Sequence, residues 1–469
     1  MNDREILEAA ESYLDDNWET MVSDIESLVE VKSVSNPLLR REGAPFGPDA
    51  REALDRGLAM AVRLGLETDD LDGFMGIADL PGESDRQLAI IGHLDVVDAG
   101  PGWNFEPFGL TRKDGYLIGR GTADDKAPTA IALHAARFWK EQGERLPYTL
   151  RVLLGVDEER GMEDVAYYRE RFSDPAFLLT PDAEFPVCYG EKGIARFKVK
   201  SARMESPAIY YIEAGTAVNA VPGFAFVKCL ADIDSLEPAY NIGYTKDGCC
   251  ANTRIEAYGT SAHASTPELG DNAIGRLLQY LISSKVVREE EQRFFELLLL
   301  GILYTDGRGY GIACEDDDFG PLTISCGKLE IEPDRTFSAS FDVRYPTTIT
   351  TEKILATLQR GFAHIGATVE MTMDFKPFLM GRDSKAVEAL LSAYNTATGD
   401  NAEPFTTGGG TYARKFERAA SFGPLPLEPN QPDWVGSMHG PDEGIAEETL
   451  KQQFRVYVLA IAKLMKLDL

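Results

Sequence analysis

The chain has 469 residues, more than a single hydrophobic core usually serves, so two or more domains are expected. Apolar residues make up 44% and charged residues 26%, which is ordinary for a globular protein and excludes a disordered or fibrous chain. The formal charge of −29 argues against nucleic acid or an anionic membrane as partner, because both need a basic face; it suits a protein that handles small molecules.

The first 16 residues lack the basic start and apolar block of a signal peptide. Residues 1–33 are predicted to form one helical arm, with Trp18, Met21, Ile25, Leu28 and Val29 at helical spacing. A second amphipathic helix is expected over 51–66, a strand over 72–78, and a buried strand over 87–92. A helix follows at 126–139, where His134 shares an apolar stripe with Ala127, Ala130, Ile131 and Phe138 and reads as a packed histidine. The apolar strand 148–156 runs into Asp157-Glu158-Glu159, and the strand 177–180 into Pro181-Asp182-Ala183-Glu184. Strand, acidic tip, helix, strand, acidic tip is the rhythm of an α/β sheet that collects functional residues at strand ends.

From about residue 187 the texture changes to alternating segments, at 193–199, 207–213, 223–231 and 335–344, with helices at 273–284, 287–303 and 351–363. The alternation at 335–344 predicts a half-buried antiparallel strand. Residues 187–378 therefore read as an inserted α+β domain, and 1–186 with 379–469 as a discontinuous α/β domain closed by helices at 384–396 and 444–466. The longest apolar runs, such as 297–304, fall short of the roughly 20 residues that span a bilayer. Six cysteines, among them the bare pair Cys249-Cys250, show no zinc spacing; reduced thiols and a cytoplasmic location are expected.

Chemistry concentrates in 90–128. There an apolar run delivers Gly92-His93-Leu94-Asp95 to a strand end, and a glycine turn, Gly119-Arg120-Gly121, hands Asp124 and Asp125 to the start of a helix. Of the five histidines, His134 is packed and His364 lies near a helix end, whereas His93, His263 and His439 stand in small-residue loops. A two-metal hydrolytic centre needs cations roughly 3.5–4 Å apart held by His and carboxylate. Asp124, on a rigid turn, is placed to bridge them, although it or Asp125 could equally cap the helix beginning at Lys126. Glu158 and Glu159 leave a strand on opposite sides, so one can bind metal while the other faces substrate.

These motifs, with Ser261-Ala262-His263-Ala264-Ser265 and Met438-His439-Gly440, resemble in order and separation the co-catalytic metallopeptidases that include carboxypeptidase G, aminoacylase and carnosinase. The loop Gly408-Gly409-Gly410-Thr411-Tyr412 makes the chain most similar to the bacterial PepV-type dipeptidases. The resemblance implies a zinc-peptidase-like catalytic domain with an inserted lid, and two divalent metals: zinc, or alternatively manganese or cobalt. One metal would take His93 and Asp182, the other Glu159 and His439, with Asp124 bridging. Asp95 would orient the His93 ring, Glu158 would be the general base, and His263 would stabilise charge on the substrate carbonyl. Asn219, Arg344, Gly409 and Gly410 would hold the substrate backbone, and the Asp124-Asp125 bond would be cis. Ala127 and Asp98 depart from the family pattern, which has glycine and proline there; neither is a ligand position.

The implied reaction is hydrolysis of the peptide bond in dipeptides or short peptides with free ends. Cleavage of N-acyl amino acids, or carboxypeptidase action, is the alternative within the family, and a glycosidase using paired acids is the rival outside it. The resemblance to the PepV type, whose longer insert lets one chain supply the histidine by itself, implies a monomer.

Overall fold

The computed structural model describes residues 1–247, 252–425 and 431–469; the Cys249-Cys250 pair lies outside them. Two compact units make up the chain. One comprises Met1–Tyr189, Leu379–Phe405 and Thr411–Leu469, the other Gly190–Phe378 and Thr406–Gly410.

The first unit is α/β. Its sheet runs in the order Glu67–Leu71, Met75–Leu80, Tyr148–Gly155, Ser84–His93, Phe177–Thr180, Ala419–Ser421. The two outer strands pair antiparallel, while Ser84–His93 runs parallel to both its neighbours. Tyr148–Gly155 and Phe177–Thr180 are buried along their whole length, which is why both read as continuous apolar runs. Where one strand over 72–78 is expected, the chain instead makes a hairpin: Asp72 and Gly73 take positive φ, and Leu71 pairs with Met75. The acidic strand Glu67–Leu71 is exposed along most of its length, so its sequence carries no apolar signal.

Helix Lys126–Gln142 is buried almost all round, and its alanines admit close neighbours. Helix Asp3–Val29, with a capping box from Asn2 and Glu5, and helix Glu447–Leu464 contribute to the same core. The last helix is expected from 444, but Gly444–Ala446 is a strand that pairs with Tyr116–Ile118, itself paired with Thr111–Lys113. This small three-stranded sheet matters below, because it ties together two loops that are distant in sequence. His134 is fully buried, with Tyr13 Oη 2.9 Å from Nδ1 and Asp24 Oδ2 2.8 Å from Nε2.

The second unit is an eight-stranded sheet in the order Ile242–Lys246, Thr253–Tyr258, Phe224–Cys229, Ile209–Ala214, Thr323–Ile331, Phe337–Tyr345, Gly193–Lys200, Thr368–Phe375, with every neighbouring pair antiparallel. Helices Ala273–Ser283, Glu289–Leu303 and Thr351–Ala363 complete its core. Phe337–Tyr345 is not half exposed. It is an interior strand in which every residue but Ser340 is buried, Asp342 being held by Arg196 and Arg344. The loop Thr406–Gly410, assigned from sequence to the flanking parts, groups with this unit because its hydrogen bonds go there: Lys192 N donates to Thr407 O at 2.9 Å, and Thr406 Oγ1 to Asp318 O at 2.6 Å. Among the described residues no helix is long and apolar enough to cross a membrane.

Candidate metal centre

Three parallel strands set the first part of the site. Tyr148–Gly155, Ser84–His93 and Phe177–Thr180 are adjacent and run the same way, with His93 in register with Gly155. Their carboxyl ends therefore bring His93, the Asp157-Glu158-Glu159 turn and Asp182 to one edge of the sheet. Gly92 is required by close approach: a Cβ there would stand 2.0 Å from Thr129 Oγ1 and 2.7 Å from Asp125 Oδ2.

The small sheet supplies the rest. Ile118 pairs with Gly444, so the loop after Ile118, which carries Asp124, lies against the loop before Gly444, which carries His439. Gly121, at φ 92°, permits the turn that returns the chain to the helix at Lys126. The Asp124-Asp125 peptide is cis. Asp125 stands at the N-cap position without capping through its side chain; its Oδ2 instead accepts from His93 N at 3.2 Å and Thr129 Oγ1 at 3.0 Å.

Asp124 then faces two ways. Its Oδ1 is 2.8 Å from His93 Nε2, and its Oδ2 is 2.9 Å from His439 Nε2. Asp182 Oδ2 lies 3.9 Å from His93 Nε2, and Glu159 Oε1 lies 3.0 Å from His439 Nε2. Two donor triplets result, His93–Asp124–Asp182 and Asp124–Glu159–His439, each with its ligand atoms within 4.8 Å of one another.

The surrounding hydrogen bonds fix these donors. His93 Nδ1 lies 2.9 Å from the Asp95 carbonyl, which can only accept, so Nδ1 carries a proton, while Nε2 donates to Asp124 Oδ1; a bound cation would take the place of that second proton. The Asp95 carboxylate, expected to orient that ring, stands 3.5 Å from Nδ1 and accepts the N–H groups of Glu158 and Glu159, each at 3.2 Å. It thus ties the histidine strand to the acidic turn. Asp164 accepts from Val156 N at 2.9 Å and Asp157 N at 3.1 Å, and Tyr412 Oη also donates to it. The sequence marks Asp164 only as a common acid in a first helical turn, and nothing in its spacing reveals this role.

Burial pushes the Glu158 and Asp182 carboxyls well above the usual range, with repulsion from Asp182 and Asp124 respectively adding to it. Burial and then Asp124 raise Glu159. Burial also opposes the charge on Asp124, but hydrogen bonds from His439 and His93 outweigh it and lower its pKa. Burial likewise opposes the His439 cation, yet Asp124 and Glu159 push that ring up to about 11.

Crowded, mutually repelling carboxylates converging on two imidazoles fit divalent cations. Such ions take His nitrogen and carboxylate oxygen and relieve the repulsion. Glu158 Oε1 is buried with no hydrogen-bond partner among the described residues, the state of an acid held for something other than the protein. The donor set therefore fits a metal centre.

The remaining expected residues lie in the second unit. His263 is in the short strand Ala262–His263, paired with Ala220–Val221, and Ala264 N donates to Asn219 O at 3.0 Å, so Asn219 and His263 are neighbours. Ser265 N donates to His263 Nδ1 at 3.3 Å, and Ser265 Oγ is 2.6 Å from the same atom, which places the neutral ring's proton on Nε2. Arg344, 3% exposed, bonds Asp342 through Nε at 2.5 Å and the Gly408 carbonyl through Nη1 at 2.7 Å. Gly409 N donates to Thr407 Oγ1 at 3.0 Å, and Gly410 ends that loop.

Comparison with known proteins shows the family and the fold. The profile of peptidase family M20/M25/M40 matches residues 89–463. The "Putative dipeptidase YtjP" of Bacillus subtilis is 29% identical over 472 residues, covering 96% of this chain and all of its own length. A "Putative dipeptidase" of Staphylococcus epidermidis is 29% identical over 460 residues, covering 94% of this chain and 96% of itself. Among solved structures, human carnosine dipeptidase 1 has the same fold, with TM-score 0.62 at 16% identity over 98% of this chain and 99% of that one. The dipeptidase Dug1p of Saccharomyces cerevisiae has TM-score 0.64 at 12% identity, covering 99% of both. The profile spans most of the polypeptide, and on that ground the chain belongs to peptidase family M20/M25/M40 and is a metallopeptidase.

Proposed function

We propose that this enzyme hydrolyses the peptide bond of dipeptides and short peptides whose amino and carboxyl ends are free. His93 and Asp182 would hold one divalent ion, Glu159 and His439 a second, and Asp124 both. The observation that carries this reading is the orientation of Asp124, whose two oxygens face different histidines at 2.8 and 2.9 Å. When bound, such ions polarise the scissile carbonyl and make water nucleophilic at neutral pH. The names of the relatives and fold neighbours as dipeptidases support the substrate class.

The chain's own residues do the rest. Glu158 takes the proton of the attacking water at a carboxylate oxygen and returns it to the nitrogen of the leaving amine. His263 donates from Nε2 to the carbonyl oxygen as negative charge develops there, in the tautomer that Ser265 sets. Asn219, Arg344, Gly409 and Gly410 hold the peptide backbone. Arg344 is pre-oriented by Asp342, which suits recognition of a free carboxylate. The structure supports the tautomer and the orientation; the roles come from the family resemblance. Zinc is the metal we assign, with manganese or cobalt compatible with the same donors.

The enzyme acts as a monomer, a reading that rests on its long insert; sedimentation as an obligate dimer would contradict it. Among the described residues Cys229, Cys314 and Cys326 are free thiols and support a cytoplasmic site of action, which recovery of the native protein only in a secreted fraction would overturn. The test of function is a panel of unmodified dipeptides and acetylated amino acids, assayed with and without excess chelator. Turnover of dipeptides that chelator abolishes is expected. Turnover of acetylated amino acids alone, or activity undiminished by chelator, would refute the reading.

A further inference from the structure

Glu443 lies four residues beyond His439 and is fully buried, as is Arg120, 1% exposed, with which it is paired through Arg120 Nη1. A buried ion pair is weak evidence for stability, because desolvation offsets much of the attraction. What distinguishes this pair is where its remaining contacts go. Glu443 Oε1 accepts three main-chain N–H groups of the Asp124 loop: Gly121 at 3.0 Å, Ala123 at 3.0 Å and Asp124 itself at 3.2 Å. Arg120 Nη2 donates to the His439 carbonyl at 3.2 Å and reaches the Asp98 and Ala99 carbonyls at 3.4 Å. One ion pair thus grips the backbone at both loops that supply donors to the Asp124–Glu159–His439 triplet.

The His439 loop needs such a grip. His439 and Asp442 both take positive φ, 63° and 57°, a conformation that non-glycine residues hold only when the surroundings impose it. Asp442 accepts from Asn104 N at 2.7 Å and Phe105 N at 3.1 Å, and Glu443 O accepts from Gly119 N at 2.9 Å. Adjacent acids therefore clamp two different segments, with the ligand histidine on the turn just before them.

We propose that Glu443, through Arg120, is a positioning residue that holds the Asp124 and His439 loops in one frame, so that the two donor triplets keep their spacing. The inference rests on the metal-binding reading of Asp124 and His439. Residues that orient ligands in this way typically change metal affinity by about 10–100-fold when replaced.

The full-length chain, stripped of metal, is titrated with Zn²⁺ against a chromophoric chelator. The variants are Glu443→Gln and the double variant R120M/E443Q, which removes both charges of the pair together. The double variant R151M/D79N removes the ion pair Arg151–Asp79 elsewhere on the same unit's sheet, together with the Arg151 hydrogen bond to Tyr168 Oη, and serves as control. The proposal expects zinc affinity to fall about 10–100-fold in both Glu443 variants and to stay within twofold of the parent in the control. Unchanged zinc affinity in the folded Glu443 variants would overturn it. Failure of both variants to fold would also overturn it, since the pair would then be a folding element alone. A parent chain that binds no zinc and cleaves no dipeptide would instead remove the metallopeptidase reading, and this inference with it.

Discussion

In the first unit His93, Glu159 and Asp182 stand at the ends of buried parallel strands, and the hydrogen bonds around the donors reach deep into the same core. In the second unit His263 sits on a two-residue strand, exposed, with Ser265 Oγ 2.6 Å from its Nδ1. The first arrangement suits ligands that must not move, because each donor is fixed by groups that are themselves fixed. The second sets the tautomer of an exposed ring. Under the proposed roles, the first unit would govern metal content and the second the rate alone.

Breaking the first half of that contrast has the largest expected effect. Asp124→Ala removes the carboxylate shared by both triplets, and both bound metal and turnover should be lost; metal content and initial rates measured together check this. Glu158→Gln keeps every proposed ligand, so metal content should stay at the parent level while kcat falls by about 10²–10⁴-fold. Loss of metal in that variant would reassign Glu158 as a ligand. His263→Ala should retain full metal and an unchanged melting temperature, with kcat reduced by about 10²–10³-fold. An unchanged rate would remove the second unit from the chemistry. Ser265→Ala, which leaves the tautomer to the Ser265 main-chain N–H alone, should lower kcat only about 2–10-fold, the value of one ordinary hydrogen bond of about 0.5–1.5 kcal/mol. A fall as large as that of His263→Ala would show that the serine does more than orient the ring.

Four of the five proposed donors were legible in the sequence because each follows a signal of its own: an apolar run before His93, another before the Glu158-Glu159 pair, a third before Asp182, a glycine turn before Asp124; His439 stands only in a small-residue loop. The groups that hold them were not. Asp164 looks like any acid in a first helical turn, and Glu443 follows Asp442 in an irregular loop, so neither position shows what it will meet across some 320 residues of chain in Glu443's case. Asp95 shows the same limit from the other side. Its place two residues after His93 suggests a ring partner, and its carboxylate stands 3.5 Å from His93 Nδ1, but nothing local shows that it also accepts from the main chain of a strand end that only the parallel register brings near. Local pattern also missed the exposed acidic strand Glu67–Leu71, whose existence depends on its neighbour and not on its own residues. It missed the burial of Asp342 and Arg344 as well, because alternation cannot distinguish a polar face that meets water from one that closes on its own ion pairs.

The most direct test of the central claim is the number of divalent ions bound per chain, determined by elemental analysis of the purified parent protein and of Asp124→Ala. Two donor triplets sharing Asp124 predict two ions per chain in the parent and none held stoichiometrically in the variant. A parent without stoichiometric metal, or a variant that keeps both ions, would contradict the account.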